Sequence, residues 1–206
     1  MTCNARSTEI VHANCVLMKA YNRADAVWVY TPQPHSTSLP KMKALQPPDI
    51  FHLNAARGWL DLGNSDEAHN ELAKIKGRNR EHPEVLEVVW QICARRSEWE
   101  QCAELAEKVI KSAPGHVNGY IHKAYALHEL KRTQEAWDLL FPIAEKFPKD
   151  PTVKYNLACY ATQLGRLWEA EQWIKLAFTV GNEKELRTVA LQDADLKPLW
   201  PKILGM

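Results

Sequence analysis

Residues 151–177 read PTVKYNLACYATQLGRLWEAEQWIKLA. Leu157, Ala158, Ala161 and Leu164 recur at helical spacing and share one helix face, and so do Ala170, Ile174 and Ala177. Gly165 separates the two stripes and suits the left-handed conformation that ends a helix. Pro151 opens the stretch at a position where a missing backbone donor is harmless. The stretch therefore predicts two helices, 151–164 and 167–180, joined by a tight turn.

The same pattern returns three more times on the N-terminal side at a shift of 34 residues. Ala68, Cys102, Ala136 and Ala170 form one column, and Ala56, Trp90, Ala124 and Ala158 a second. Leu72, Ala106, Leu140 and Ile174 form a third, and Ile75, Val109, Ile143 and Ala177 a fourth. Leu62, Arg96, Leu130 and Leu164 follow with one polar member, and the turn column reads Gly63, Ser97, Lys131, Gly165. First helices are expected at 49–62, 83–96, 117–130 and 151–164, and second helices at 66–78, 99–112, 133–146 and 167–180. The second helix of the first unit is expected to stop near Lys76-Gly77. Small residues at Ala56 and Ala68 let the two axes of a pair approach to the short end of the roughly 8–10 Å range. One helix pair buries little by itself, so stability must be shared between stacked neighbours.

These columns resemble the tetratricopeptide-repeat family over residues 49–181. The best matches are Ala124–Leu127–Leu130–Ala136–Leu140–Pro148 and Leu157–Ala158–Leu164–Gly165–Ala170. The second unit departs from the pattern, with Trp90 where a small residue is usual and Arg96-Ser97 in place of Leu-Gly. The resemblance implies an all-α, right-handed superhelical solenoid of four helix pairs: units 49–82, 83–116, 117–150 and 151–182. Residues 183–206 resemble a capping segment. There, Glu183–Gln192 reads as a short amphipathic helix with Leu186, Val189 and Ala190 facing inward, and Leu196, Leu199 and Trp200 cover the open face of the last unit. Asp193 to Trp200 reads as a turn and a final helical turn.

Residues 1–48 read differently. Thr8–Tyr21 is compatible with one short helix and Val27–Tyr30 with a brief extended run. Pro32, Pro34, Pro40, Pro47 and Pro48 make 31–48 a linker or extended arm. His12, Asn14 and Lys19 interrupt the apolar stretch at 10–18, so a signal peptide is not expected.

Composition narrows the function classes. The 206 residues carry 26 basic and 25 acidic side chains, a formal net charge of +1, so no global field attracts nucleic acid or an acidic membrane. No apolar run reaches the roughly 18–20 residues of a membrane helix. The five cysteines contain no CxxC pair, which argues against a disulfide framework or a zinc site and for a reducing, cytoplasmic compartment. No HExxH, no i,i+4 histidine pair, no Gly-rich phosphate loop and no nucleophile elbow occurs, so no metal, no cofactor and no enzymatic activity is expected. Trp59, Trp90, Trp99, Trp137, Trp168 and Trp173 recur at helix-packing columns and read as inter-helix packing. Cys93 and Cys102 read as small core fillers, and Cys159 as a thiol facing the groove.

The resemblance further implies that the first helices line a concave groove for a peptide or protein segment. Carried over by column, the groove residues are Leu53, Asn54 and Arg57 from the first unit, and Glu87 and Gln91 from the second. The third unit gives Asn118, Ile121, His122 and Tyr125, and the fourth Tyr155, Asn156, Cys159 and Gln163. Asn54 and Asn156 can each offer a donor and an acceptor, and Tyr125 and Tyr155 rigid amphipathic area. The columns that clamp a chaperone-tail carboxylate in some relatives hold Leu53, Arg57, Val88, Asn118 and His122, which form no clamp. The expected function is a non-catalytic scaffold or adaptor for a protein partner. A secretion-type chaperone, dimerising through its N-terminal helix, and an accessory subunit of an enzyme complex stand as alternatives. A homodimer is compatible with this reading; nucleic-acid binding and membrane insertion are not expected.

Overall fold

A computed structural model describes residues 44–206. The expectations for Thr8–Tyr21, Val27–Tyr30 and most of the 31–48 linker lie outside the described residues. Among the described residues there is no strand. The helices are α1 (Asp49–Asp61), α2 (Ser65–Ala73), α3 (Pro83–Arg95), α4 (Trp99–Ser112), α5 (Val117–Glu129), α6 (Thr133–Lys146), α7 (Pro151–Gln163) and α8 (Leu167–Val180). They are followed by α9 (Glu183–Ala190), a 3-10 segment (Ala194–Leu199) and α10 (Trp200–Leu204). The chain is thus an all-α solenoid of helix pairs, and each first helix packs on its own second helix and, from the second unit on, on the second helix of the unit before it.

The turn column shows why the period holds. Gly63, Ser97, Lys131 and Gly165 all have positive φ, at 79°, 57°, 64° and 76°. At each turn the left-handed residue's N–H returns to the carbonyl three residues back, as Gly63 does to Leu60 at 2.9 Å. The next N–H closes a longer ring, as Asn64 does to Trp59 at 2.8 Å. The pairs Glu98–Cys93, Arg132–Leu127 and Arg166–Ala161 repeat that ring at 2.9, 2.9 and 2.8 Å. This is a Schellman stop, satisfying carbonyls that the helix end would orphan. Ser97 and Lys131 adopt it without glycine's freedom.

The first unit deviates at its far end. Its second helix ends at Ala73, before the expected Lys76-Gly77, and Gly77–Glu81 forms a 3-10 turn beginning with Gly77 at φ 62°. A polar run without a core-facing residue after Ile75 leaves nothing to hold a further helical turn.

Trp90 does not distort the second unit. α3 is a continuous helix, Trp90 is buried, and its indole lies flat on the His122 ring at 4.1 Å between centroids and 11° between planes. Tyr125 tilts against it at 6.3 Å, and Trp99 meets Tyr125 edge-on at 5.6 Å. Cys102, the small residue facing Trp90 across the pair, leaves room for the backbone crossing, its Sγ 3.7 Å from the Trp90 carbonyl.

Two tryptophans depart from the expected packing. Trp59 is 37% exposed and Trp168 is 74% exposed. Trp90 and Trp137 are buried, and Trp99 and Trp173 pack against the core from its edge. Trp59 is bared because no unit precedes the first among the described residues. Trp168 falls in the first turn of α8, on the side away from the core stripe of Ala170, Ile174 and Ala177.

Candidate functional site

The first helices share one face, and polar contacts join it from unit to unit. Arg57 of α1 pairs with Glu84 of α3 at 2.9 Å, with both side chains about half open to solvent. Asn118 of α5 donates to Glu87 of α3 at 3.1 Å. Burial raises the Glu87 carboxyl above its usual range, with the Asn118 bond and the Arg57 charge pulling the other way. Arg95 donates to the Leu60 carbonyl at 2.6 Å, tying the end of α3 back to α1.

The fourth unit's part of this face is covered by the chain itself. Every residue from Val153 to Thr162 is buried, so α7 has no solvent side in that span. After α9 the chain turns back and lays its 3-10 segment along α7. The Tyr155 hydroxyl donates to the Asp193 carboxylate at 3.0 Å, and the Cys159 thiol approaches the same oxygen at 3.7 Å. Gln163 donates to the Asp195 carbonyl at 3.0 Å. His128 of α5 contacts the Asp195 carboxylate through Nε2 at 3.1 Å and the Thr133 hydroxyl through Nδ1 at 3.0 Å. The other oxygen of Asp193 accepts from the Asp195 N–H at 3.0 Å and caps the 3-10 segment. Leu196, Leu199 and Ile203 are buried beside these contacts, and the Trp200 indole donates to the Ala190 carbonyl at 2.9 Å. Leu196, Leu199 and Trp200 thus pack against the core of the last units. The segment also does more than that, because Asp193 and Asp195 are ligands of the first-helix face.

The sequence-derived residues therefore divide. Asn54 is exposed, Arg57, Glu87 and Asn118 are partly exposed, and Gln163 keeps an open side while bonding Asp195. Leu53, Gln91, Ile121, His122, Tyr125, Tyr155, Asn156 and Cys159 are buried. Leu53 belongs to the core of the first two units. His122 and Tyr125 are consumed by the packing of Trp90 and Trp99. Tyr155 and Cys159 lie under the C-terminal segment, which corrects the expectation of a thiol open to the groove. Burial lowers the His122 pKa to about 4, so the ring is neutral near pH 7. Burial also pushes the Cys93 thiol up to about 12 and raises Cys102, so neither is a thiolate nucleophile. Among the described residues no group of three His, Cys, Asp or Glu is placed to hold a metal ion, and no helix is long and apolar enough to cross a membrane.

Comparison with solved structures decides the fold. The thermophilic TPR protein TTC0263 of Thermus thermophilus superposes with a TM-score of 0.62 at 16% identity, over 77% of this chain and 100% of that one. The chain has the tetratricopeptide-repeat fold. MamA of Desulfovibrio magneticus RS-1 (residues 41 to the end) matches this tetratricopeptide-repeat chain at 0.59 and 19% identity, over 79% of this chain and 96% of that one. A second MamA structure, MSR-1, matches at 0.54 and 20% identity, over 66% and 78%. No family model matches the sequence, and neither does any curated protein. Identities this low carry the architecture only.

Proposed function

We propose that the protein is a non-catalytic interaction scaffold that binds a segment of a protein partner on the first-helix face of its first three units. The resemblance makes this face the concave one. The observation that supports the reading best is the chain's own C-terminal segment, which lies on the fourth unit's share of that face through Tyr155, Cys159 and Gln163 and reaches His128 of the third unit. A face that accepts one irregular segment through side-chain donors has the chemistry to accept another beside it. Asn54, Arg57, Glu84, Glu87 and Asn118 remain at least partly open there. Their amides and charges suit a polar backbone better than an apolar helix. Cys93, Cys102 and Cys159 are buried outside any disulfide, which fits a reducing compartment, and we place the protein in the cytoplasm on that basis.

The test is affinity capture from a lysate of the source cell with wild type and an Asn54→Ala/Arg57→Ala variant, both checked for intact helix by circular dichroism. One protein retained by wild type and lost by the variant supports the site. Equal retention by both rejects it.

A further inference from the structure

The junction between the first two units keeps a gap that the later junctions fill. A notch of about 140 Å³ opens between α2 and α3, lined by His69, Leu72, Ala73, Arg80, Val85 and Val89. Leu72 and Val85 are buried and form its floor, while His69, Ala73 and Arg80 are exposed at its open side. The repeat columns give the cause. Ala73 and Val89 stand where the next junction has Glu107 and Lys123, which close on each other at 2.8 Å. One unit further the Ala73 column holds Phe141, which stacks at 5.4 Å on Trp137, the residue in the His69 column. Small side chains at Ala73 and Val89 thus leave room where a charged pair or an aromatic pair stands later. Arg80 departs from its column as well, which holds Pro114 and Pro148, and it rides on the 3-10 turn that follows the short α2.

We propose that this notch is a second binding site, for an acidic segment of a partner protein that inserts one apolar side chain between α2 and α3. None of the lining residues belongs to the site proposed on the first-helix face. Size sets the anchor. An apolar cavity of roughly 150 Å³ takes up benzene, so the notch suits one aromatic ring or one branched aliphatic side chain. Leu72, Ala73, Val85 and Val89 supply the apolar wall against which that side chain leaves water. Charge sets what flanks the anchor. Lys76, Arg78 and Arg80 are exposed on and beside the 3-10 turn, and none of them makes an ion pair. Lys74, by contrast, is held by Glu71 at 2.7 Å. Glu81 is the single acid set against these three cations over 76–81, so the rim of the notch is positive in a chain whose formal net charge is only +1. Arg80 lines the notch itself, so a carboxylate next to the inserted side chain meets a guanidinium able to hold both of its oxygens.

Titration calorimetry on the full chain tests this with a short capped peptide that has a central Phe between Asp and Glu residues. Two control peptides replace the Phe by Ala, or every acid by Lys. Wild type is compared with Ala73→Glu/Val89→Lys, which copies the Glu107–Lys123 pair into the notch, and with Arg80→Gln, an exposed change that leaves the core intact. The Phe peptide should bind wild type, more tightly at low salt than at high. The Ala peptide, and the Phe peptide on the notch-filling variant, should each bind about tenfold or more weakly. Arg80→Gln should weaken the Phe peptide by about threefold or more, and the Lys peptide should not bind. No binding to wild type at roughly millimolar peptide overturns the proposal. So does equal affinity for the Phe and Ala peptides, or unchanged affinity in both variants. A dimer in sedimentation that the notch-filling variant dissociates assigns the notch to a second copy and also overturns it. If circular dichroism shows that the double variant does not fold, Arg80→Gln and the three peptides decide alone.

Discussion

The hydroxyl of Tyr155 donates to the carboxylate of Asp193 at 3.0 Å, both groups buried, across a separation of 38 residues. The contact fastens the C-terminal segment to the first helix of the fourth unit. Replacing Asp193 by Ala removes that acceptor and the cap on the Asp195 N–H. The expected cost is ~1–3 kcal/mol, that of stranding buried donors, read as a lower urea midpoint. Labelling of Cys159 by a thiol reagent, followed in a peptide map, should rise in the same variant. Unchanged labelling at Cys159 would mean that Asp193 does not pin the segment.

Ser97 and Lys131 adopt left-handed backbone where Gly63 and Gly165 stand in the other units. A side chain in that conformation costs about 1–2 kcal/mol, and glycine returns part of the gain through its larger unfolded-state freedom. Ser97→Gly and Lys131→Gly should each stabilise by ~0.5–1 kcal/mol, and their effects should add, the two turns being in different units. Thermal melts of the two single variants and the double variant measure this.

His122 is buried under Trp90 with its pKa depressed to about 4, against 6.5 for the free group. The unfolded chain therefore binds a proton between those values that the folded chain does not. Stability is full above about pH 6.5 and falls as the pH drops toward 4, by roughly 3 kcal/mol from this group. His122→Phe keeps a ring against Trp90 and removes the titration. The variant's unfolding free energy should fall less steeply than wild type's over this window in urea melts.

Trp90 sits in a column that holds Ala in the other three units. Reverting it to Ala restores the repeat pattern but empties the space beside His122 and Tyr125. Trp90→Ala should therefore destabilise by ~3–5 kcal/mol, as a large-to-small core change does. A chemical unfolding curve decides between pattern and packing.

The architecture was legible because helix period and repeat period both act locally. Ala56, Ala68 and their columns mark crossings, and the turn column marks the stops, all within one unit or its neighbour. The bounds of α4, α6 and α8 came out as spaced, and each first helix ended one residue short, the Schellman stop taking that residue as its cap. The candidate site was legible by column and not by exposure. Tyr155 and Cys159 occupy groove columns, yet their fate depends on Asp193, which lies 38 and 34 residues further along. Asp195 meets His128 across 67 residues. A pair of aspartates after a short helix reads as a turn, and no periodicity links it to α5 or α7. Trp59 was misread for the opposite reason. Its column packs in every unit that has a predecessor, and the first unit has none among the described residues.

The most direct test of the partner site is photo-crosslinking in the source cell, with a photoreactive amino acid introduced into the full chain at Asn54, or at Trp168 as the exposed control on a second helix. The account predicts a discrete partner adduct from position 54 and none from position 168. An adduct from 168 alone, or none from 54 in a correctly folded chain, would contradict it.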